Sequence, residues 1–550
     1  MRLLAGASPE SARLSVRHCS SEANMPAQCA GMFVRASFRL LTLTGLLCDV
    51  SAVQACAPEH GIDDLPGGRG HGEADEDWSV RRCMATMDAL AIPLSPGPPS
   101  VASPGTAYTN IRNTTMTLDW LRYEAYNHKK ILKYVLETMK GMLRAMLCQF
   151  TFRNYRSYRD EAELSMQATP MREFERSLIE CPDGQSFLPV AAVYGPNAGG
   201  KSNLLEALDY VRSAVARPVW LLSARADAPE GERPSMARCS AFEFDDVSAA
   251  EPTEFELYYR AGEHEYRYIL SVHADEIVSE GLWRRKLGAS RTATLFEREG
   301  AEVVLGPTLR KLATAATFNP SLPYLSFLCI NFDAPVVKEA ASWFLGGVFL
   351  NYNSSYLERA LEQMLDEADS PEVTRFLRAV DVRIDGFRVE KAPEGRGQRV
   401  FVKHEVDGKG YELRLSEESA GTQKLMGLAA FLLAALERGG TVVVDELDAK
   451  LHPKLLRYVI LLFKDPEVNK HGAQLIFSSQ DVSTMRNDVF RRDEIWFAAR
   501  GEGEASQLWS LADIHEANGN LVSKNAAFDK QYLSGRYGAD PYLTRIEEWG

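Results

Sequence analysis

The stretch VAAVYGPNAGGKSNLLEAL, residues 190–208, passes from an apolar run to a helical one through a loop of small residues. VAAVY (190–194) is short, apolar and β-branched at both valines, which predicts a buried strand. Over 202–215, apolar residues recur at Leu204, Leu205, Leu208 and Val211, the spacing of one helix face. A plain turn needs one glycine, whereas this loop has Gly195, Gly199 and Gly200 and then Lys201 and Ser202. G-x-x-x-x-G-K-S between a strand and a helix is the P-loop pattern. The glycines let backbone N–H groups turn inward toward phosphate oxygens. The helix N-terminus adds a dipole that favours anions. Gly195, Pro196, Asn197, Ala198, Gly199, Gly200, Lys201, Ser202 and Asn203 are therefore the expected nucleotide cradle. Lys201 is expected to reach the β and γ phosphates, and the Ser202 hydroxyl to ligate Mg²⁺. The loop implies a nucleoside triphosphate, expected to be ATP.

Kinases, GTPases, helicases and motors share such a loop, so other stretches decide the type. GGTVVVDELDAKLHP (439–453) is an apolar strand ending in acids, the shape of a Walker B. Asp445 is expected to hold the Mg²⁺ shell. Glu446 is expected to polarise the attacking water, which needs an oriented acceptor for in-line attack. Just upstream, LSEESAGTQKLMGLAAFLLAALE (415–437) opens a long apolar helix with a polar Ser-Ala-Gly-Thr-Gln cluster. It resembles the ABC-type signature, in which small residues at a helix N-terminus touch the γ-phosphate of the other subunit's nucleotide. Ser419, Gly421 and Gln423 match that signature's serine, glycine and glutamine. A plain N-cap by Ser419 is the alternative. Asp448, two residues past Glu446, matches the D-loop and is followed by Leu451-His452-Pro453.

With GPNAGGKSN, FTFRNYRSYRDEAEL, the signature, VVVDELD and the tail RRDEIWF…KQYLSGRYGADPYL, residues 146–550 resemble the AAA15 family of ATPases. These are ABC-type proteins, similar to RecF, SMC and Rad50 head domains and to overcoming-lysogenization-defect ATPases. The resemblance implies an α/β fold, a P-loop NTPase of ABC type with a mixed sheet. It implies ATP hydrolysis and an ATP-dependent homodimer. In that dimer Lys201, Ser202, Asp445 and Glu446 form a half-site completed by Ser419 and Gly421 of a second copy. It also implies a cytoplasmic role beside a separate nuclease or effector, in phage defence or abortive infection. A RecF-type DNA-repair clamp and a non-hydrolysing ATP-dependent scaffold are the rival readings. One position departs. QLIFSSQD (474–481) puts Gln480 where related ATPases carry a histidine that senses the γ-phosphate. Glutamine donates and accepts hydrogen bonds but carries no charge. Slow turnover, or a switch held long in its ATP state, is the expectation.

The chain has 550 residues, 45% hydrophobic and 25% charged, an ordinary globular balance. Net charge is -13. Of 62 basic and 75 acidic residues, 15 and 14 fall in 1–145, leaving 47 and 61 in 146–550. An acidic body argues against coating nucleic acid through bulk charge. A local basic groove containing Arg284, Arg285 and Lys286 stays open, with a solvated face as the simpler reading. The nine cysteines match no zinc spacing. No apolar run reaches the length of a membrane span, the nearest being Leu40 to Cys48.

Residues 1–110 show no sustained periodicity and contain DLPGGRGHGEADED (64–77) and PLSPGPPSVASPG (93–105), both of loop composition. A helix is expected over 117–146 and a strand over 147–152. Residues 1–145 are thus read as a low-order, disordered extension or a misplaced start, with a regulatory domain as the alternative. Residues 146–550 are read as the ATPase domain, and 216–400 as including a β-rich and helical insertion. Within it, EFELYYRAGEHEYRYILSV (254–272) alternates like a hairpin turning at 261–264. The stretch Ala334 to Val380 reads as helical, and 376–391 as a return to the core fold. No heptad is sustained, which excludes a long coiled-coil arm. Arg156 is a weaker candidate for nucleotide contact. His452 and His471 are isolated and read as structural.

Overall fold

The computed structural model describes residues 144–223, 238–312, 318–351, 365, 370–380, 382–391, 398–516 and 519–539. The extension before Arg144, most of the helix expected over 117–146 and the end of the tail after Ala539 lie outside these residues. The described residues belong to one compact unit. In chain order they begin with β1 (Ala145–Arg153), β2 (Ala162–Ser165), β3 (Ile179–Glu180), β4 (Ser186–Phe187), β5 (Val190–Tyr194) and α1 (Lys201–Ser223). Next come α2 (Asp246–Ala250), β6 (Thr253–Ala261), β7 (His264–His273), β8 (Glu276–Lys286), β9 (Thr292–Glu299) and β10 (Glu302–Leu305). α3 (Tyr324–Asn331), α4 (Pro335–Gly346), β11 (Val348–Asn351), α5 (Ser370–Ala379), β12 (Gly386–Lys391), β13 (Gln398–Val406) and β14 (Lys409–Arg414) follow. The last part holds α6 (Ala420–Arg438), β15 (Gly440–Asp445), α7 (Pro453–Lys464), β16 (Ala473–Ser478), β17 (Ile495–Arg500), β18 (Ser506–Ser510) and α8 (Phe528–Leu533).

Two large sheets carry the fold. The central one has the order β11-β15-β16-β5-β17-β18. Its first five strands are parallel, and β18 closes it antiparallel to β17. VAAVY lies in its middle and is buried on both faces, as a parallel strand covered on both sides must be. Val190, Ala192 and Tyr194 enter one core with α5, α6 and α7. Ala191 and Val193 enter a second core with α1, α3, α4 and the other sheet. That other sheet is antiparallel, in the order β10-β9-β8-β7-β6-β1-β2. The strand expected over 147–152 and the hairpin expected at 261–264 are both present. The β-rich stretch therefore completes the sheet that the chain began with β1. Gln474, fully buried on β16, ties the two sheets together. Its side chain accepts from Leu147 N (2.7 Å) and donates to the Leu147 and Leu188 carbonyls (3.0 and 3.3 Å). An apolar residue there would strand the buried Leu147 N–H, at a cost of about 1–3 kcal/mol.

Two expectations change. Ala145 and Met146, assigned by pattern to the end of a helix, begin strand β1. The stretch read as helical from Ala334 to Val380 holds α4 and α5, but β11 lies between them and pairs in parallel with β15. Three apolar residues and an asparagine between helices have no period of their own, so only the pairing partner reveals the strand. The return at 376–391 stands: Phe376, Leu377, Ile384 and Phe387 all lie in the first core.

Candidate functional site

The parallel strands point their C-terminal ends at one edge, and this order places β16 between the P-loop strand β5 and the Walker B strand β15. The loop after β5 follows a narrow path. Gly195 and Gly200 have φ of 147° and 109°, and Ala198 has 60°. A Cβ at Gly195 would lie 2.0 Å from the Ala498 carbonyl oxygen, and one at Gly199 2.4 Å from the same atom. A Cβ at Gly200 would lie 2.5 Å from Ser506 Oγ. The glycines are thus required by contact with β17 and β18 as well as by conformation. Arg500 Nε donates to the Ala198 carbonyl (2.9 Å) and Tyr158 Oη to that of Gly200 (3.3 Å). The described part of the tail supports the same wall. Tyr532 stacks on Phe497, Tyr537 packs against it at a tilt, and Trp509 donates to the Tyr537 carbonyl.

Lys201 is the first residue of α1 and only 7% exposed. Its ammonium donates to the carbonyls of Gly195 (2.9 Å) and Pro196 (3.0 Å), so it lies back over the loop. Burial lowers its pKa, while the carboxylates of Asp445, Glu446 and Asp448 act to raise it. Those three acids are therefore close enough to feel the lysine across β16. Asp445 ends β15 and is 1% exposed. Its Oδ1 accepts from Ser478 Oγ (2.5 Å), whereas its buried Oδ2 has no hydrogen-bond partner. Ser478 Oγ also accepts the Glu446 N–H (2.8 Å). Glu446 adopts φ 54°, a left-handed conformation that is strained for a side chain of its kind. Strain of this sort costs about 1–3 kcal/mol and gathers at functional sites. Lys450, at the end of the same turn, has φ 63°.

Asp448 Oδ2 accepts the backbone N–H groups of Gln480 (3.2 Å) and Asp481 (3.1 Å). Its Oδ1 is buried without a partner. The D-loop acid thus holds the backbone that carries Gln480. Asn203 lies on the outer side of the cradle, where its amide donates to Ser157 Oγ (2.7 Å). Arg156 pairs with Glu206 of α1, and its backbone N–H donates to the Ser240 carbonyl.

The signature residues form a separate group at the N-terminus of α6. Ser419 is exposed and caps the helix, accepting from Thr422 N (3.1 Å). Gln423 turns back to the Glu418 carbonyl (2.7 Å). A Cβ at Gly421 would lie 3.0 Å from the Lys450 carbonyl oxygen, so this glycine lets α6 approach the D-loop turn. Among the described residues no hydrogen bond joins Ser419, Gly421 or Gln423 to the P-loop. Sequence reasoning missed Ser478 and Lys424. Ser478 was visible only as a small residue before Gln480. Lys424 stood out by being a lysine on an otherwise apolar helix face. It is 1% exposed and donates to the carbonyls of Glu446 (3.0 Å), Leu447 (2.9 Å) and Ala449 (2.6 Å).

His452 caps α7 through Nδ1, which accepts from Lys454 N, a structural role as expected. The basic trio is largely neutralised. Arg285 pairs with Glu265 and Lys286 with Glu263, beside a cleft of about 410 Å³ that Trp283 and Arg284 also line. No described helix is long and apolar enough to cross a membrane.

A parallel sheet with a P-loop, a Walker B acid pair and an interposed strand defines a P-loop NTPase fold of the AAA/ABC type. Residues 190–486 match the AAA_21 family, described as an AAA domain, putative AbiEii toxin, Type IV TA system. The match spans more than half of the chain, which belongs to this family. Solved structures similar to it include an SMC head domain from Thermotoga maritima, 13% identical with a TM-score of 0.33, covering 66% of this chain and 98% of that one. An SMC head domain with a coiled coil and joint from Pyrococcus yayanosii is 12% identical, with a TM-score of 0.33 and coverage of 68% and 98%. No curated protein matches the chain.

Proposed function

We propose that the chain is a slow ATPase switch of the AAA15 type that closes on a second copy of itself around two ATP molecules. The observation that carries this reading is the sheet order, which sets Lys201 after β5 and Asp445 and Glu446 after β15 at the same edge across β16, with Asp448 on the amides that follow β16 and one carboxylate oxygen of Asp445 and one of Asp448 buried and unpaired. Buried carboxylate oxygens are costly unless a cation or donor meets them. The donor set fits Mg²⁺ carried on a nucleotide. Among the described residues no three His, Cys, Asp or Glu side chains gather to hold a metal alone. Mg²⁺ commonly binds through one or two protein groups plus phosphate and water. Ser202 and Asp445 would hold it, and it would neutralise charge on the phosphates.

The chain's own residues have distinct tasks in this reading. The backbone of Gly195 to Gly200, with Asn203 bracing it through Ser157, cradles the phosphates. Lys201 exchanges the Gly195 and Pro196 carbonyls for phosphate oxygens. Glu446, fixed by Ser478, orients a water and takes its proton. Gln480 offers a neutral amide where a charge-carrying group would speed the reaction, which accounts for slow turnover. Ser419, Gly421 and Gln423 serve the nucleotide of the second copy, because Ser419 at their helix N-terminus is exposed and, among the described residues, no hydrogen bond joins them to their own P-loop.

Residues 145–550 form the ATPase domain in this proposal, with the residues before β1 as an extension to it. The protein acts in the cytoplasm, and its open and closed states gate a separate effector in phage defence. The family's description as a toxin of a toxin–antitoxin system supports a defence role more than a DNA-repair clamp does. The acidic partners of two of the three basic residues on β8 point the same way. Non-hydrolysing scaffolding is the second reading, favoured by Gln480. ATP turnover by the purified chain, beside Lys201→Ala and Glu446→Gln, tests the proposal. Turnover lost in both variants is expected; ATP binding without turnover in the parent leaves the scaffold.

A further inference from the structure

We propose that Lys424 is a positioning residue that links the phosphate-facing end of α6 to the Walker B turn of the same chain. The inference rests on the ATPase reading above and names how one half-site informs the other. Lys424 is nearly fully buried, and its ammonium has three donors. Those donors meet three carbonyls, all from the turn that follows β15: Glu446, Leu447 and Ala449. Charge-assisted hydrogen bonds of this kind are about twice as strong as neutral ones, so the helix and the turn move together.

The turn is a strained element. Glu446 and Lys450 both hold positive φ. The Glu446 peptide is gripped from both sides, by Ser478 Oγ at its N–H and by Lys424 at its carbonyl. Gly421 adds a second point of contact, since its bare Cα lets the Lys450 carbonyl come close. Ser419 lies five residues before Lys424, about 7.5 Å along the helix axis. A phosphate captured at the Ser419 end pulls on a rigid helix whose next turn holds the backbone of the catalytic acid. Asp448 extends the path, because it holds the amides of Gln480 and Asp481. The nucleotide bound at one half-site thereby sets the geometry of Glu446 at the other.

The test uses the full chain, a Lys424→Met variant and a Ser419→Arg variant. ATP affinity is read with a fluorescent ATP analogue and turnover by phosphate release. Amide hydrogen exchange over 447–451 is read with and without a non-hydrolysable ATP analogue. Lys424→Met should bind the nucleotide within about twofold of the parent and lose turnover about tenfold or more, a split that plain loss of folded protein does not produce. The analogue should slow exchange over 447–451 in the parent and fail to do so in Ser419→Arg, where Lys424 is intact. Turnover of Lys424→Met within twofold of the parent overturns the inference. So does equal slowing in Ser419→Arg, an arm that decides even where Lys424→Met does not fold. A parent chain that binds no ATP overturns the proposed function together with this inference. A parent that turns over beside an unaffected Lys424→Met overturns the inference alone.

Discussion

The P-loop and the signature segment are both helix N-termini with small residues, yet they are built in opposite ways. The P-loop is walled in. Ala498, Ser506 and Tyr158 crowd its glycines, and Lys201 is buried over it. The signature N-terminus is open, with Ser419 and Ala420 exposed, Gly421 to Gln423 half-buried and full burial beginning at Lys424. A site complete within one chain has no need of an exposed second anion-binding end. The contrast fits the proposal above, in which one end grips a nucleotide and the other is offered to another copy.

The sharpest way to break the comparison is to remove the grip. Lys201→Ala should lower ATP affinity and turnover together, by about two orders of magnitude or more, because a buried cation held beside the phosphate cradle has no substitute. Isothermal titration with ATP checks it; an affinity within threefold of the parent would mean the loop is only a turn. Glu446→Gln should separate binding from chemistry. Turnover should fall about 100-fold while ATP affinity stays within a few-fold, since only the water's acceptor is lost. Equal loss of affinity and turnover would instead assign Glu446 to binding. Ser478→Ala should come next. It frees Asp445 Oδ1 and the Glu446 N–H at once, and turnover should fall about tenfold with a higher Mg²⁺ requirement. A Mg²⁺ titration of the rate would expose an unchanged requirement.

The smallest effects concern tuning. Gln480→His should raise turnover a few-fold by restoring a group that can carry charge. A single-turnover rate with no increase would leave the slow rate, if observed, without this explanation. The pH dependence has a definite sign. Burial lowers the Lys201 pKa, so its ammonium is lost at a lower pH than that of a free lysine. ATP affinity should therefore weaken as pH rises toward the ordinary lysine range, and Lys201→Ala should abolish that slope.

What could be read from the sequence was what is local. Strand, glycine loop, lysine and helix lie within 19 residues, so their order alone states their chemistry. Asp445 and Glu446 end a β-branched run for the same reason. The missing parts depend on partners far along the chain. β11 has four residues and is a strand only because β15 lies beside it. Ser478 gains meaning from β16 lying next to β15, which places its hydroxyl between the Asp445 carboxylate and the Glu446 backbone N–H. Lys424 reads only as a lysine on an otherwise apolar helix face until the turn after β15 is seen to close over it. Gly421 was noticed as part of a phosphate motif, yet in the folded chain it also makes room for the Lys450 carbonyl.

The central claim is that two open halves close on each other around ATP. The most direct measurement is the mass of the Glu446→Gln chain by light scattering, with and without ATP and Mg²⁺, beside the same variant carrying Ser419→Arg. The account predicts monomers without nucleotide, stable dimers with it, and monomers again when Ser419 is blocked. Monomers throughout, with ATP bound, would contradict it.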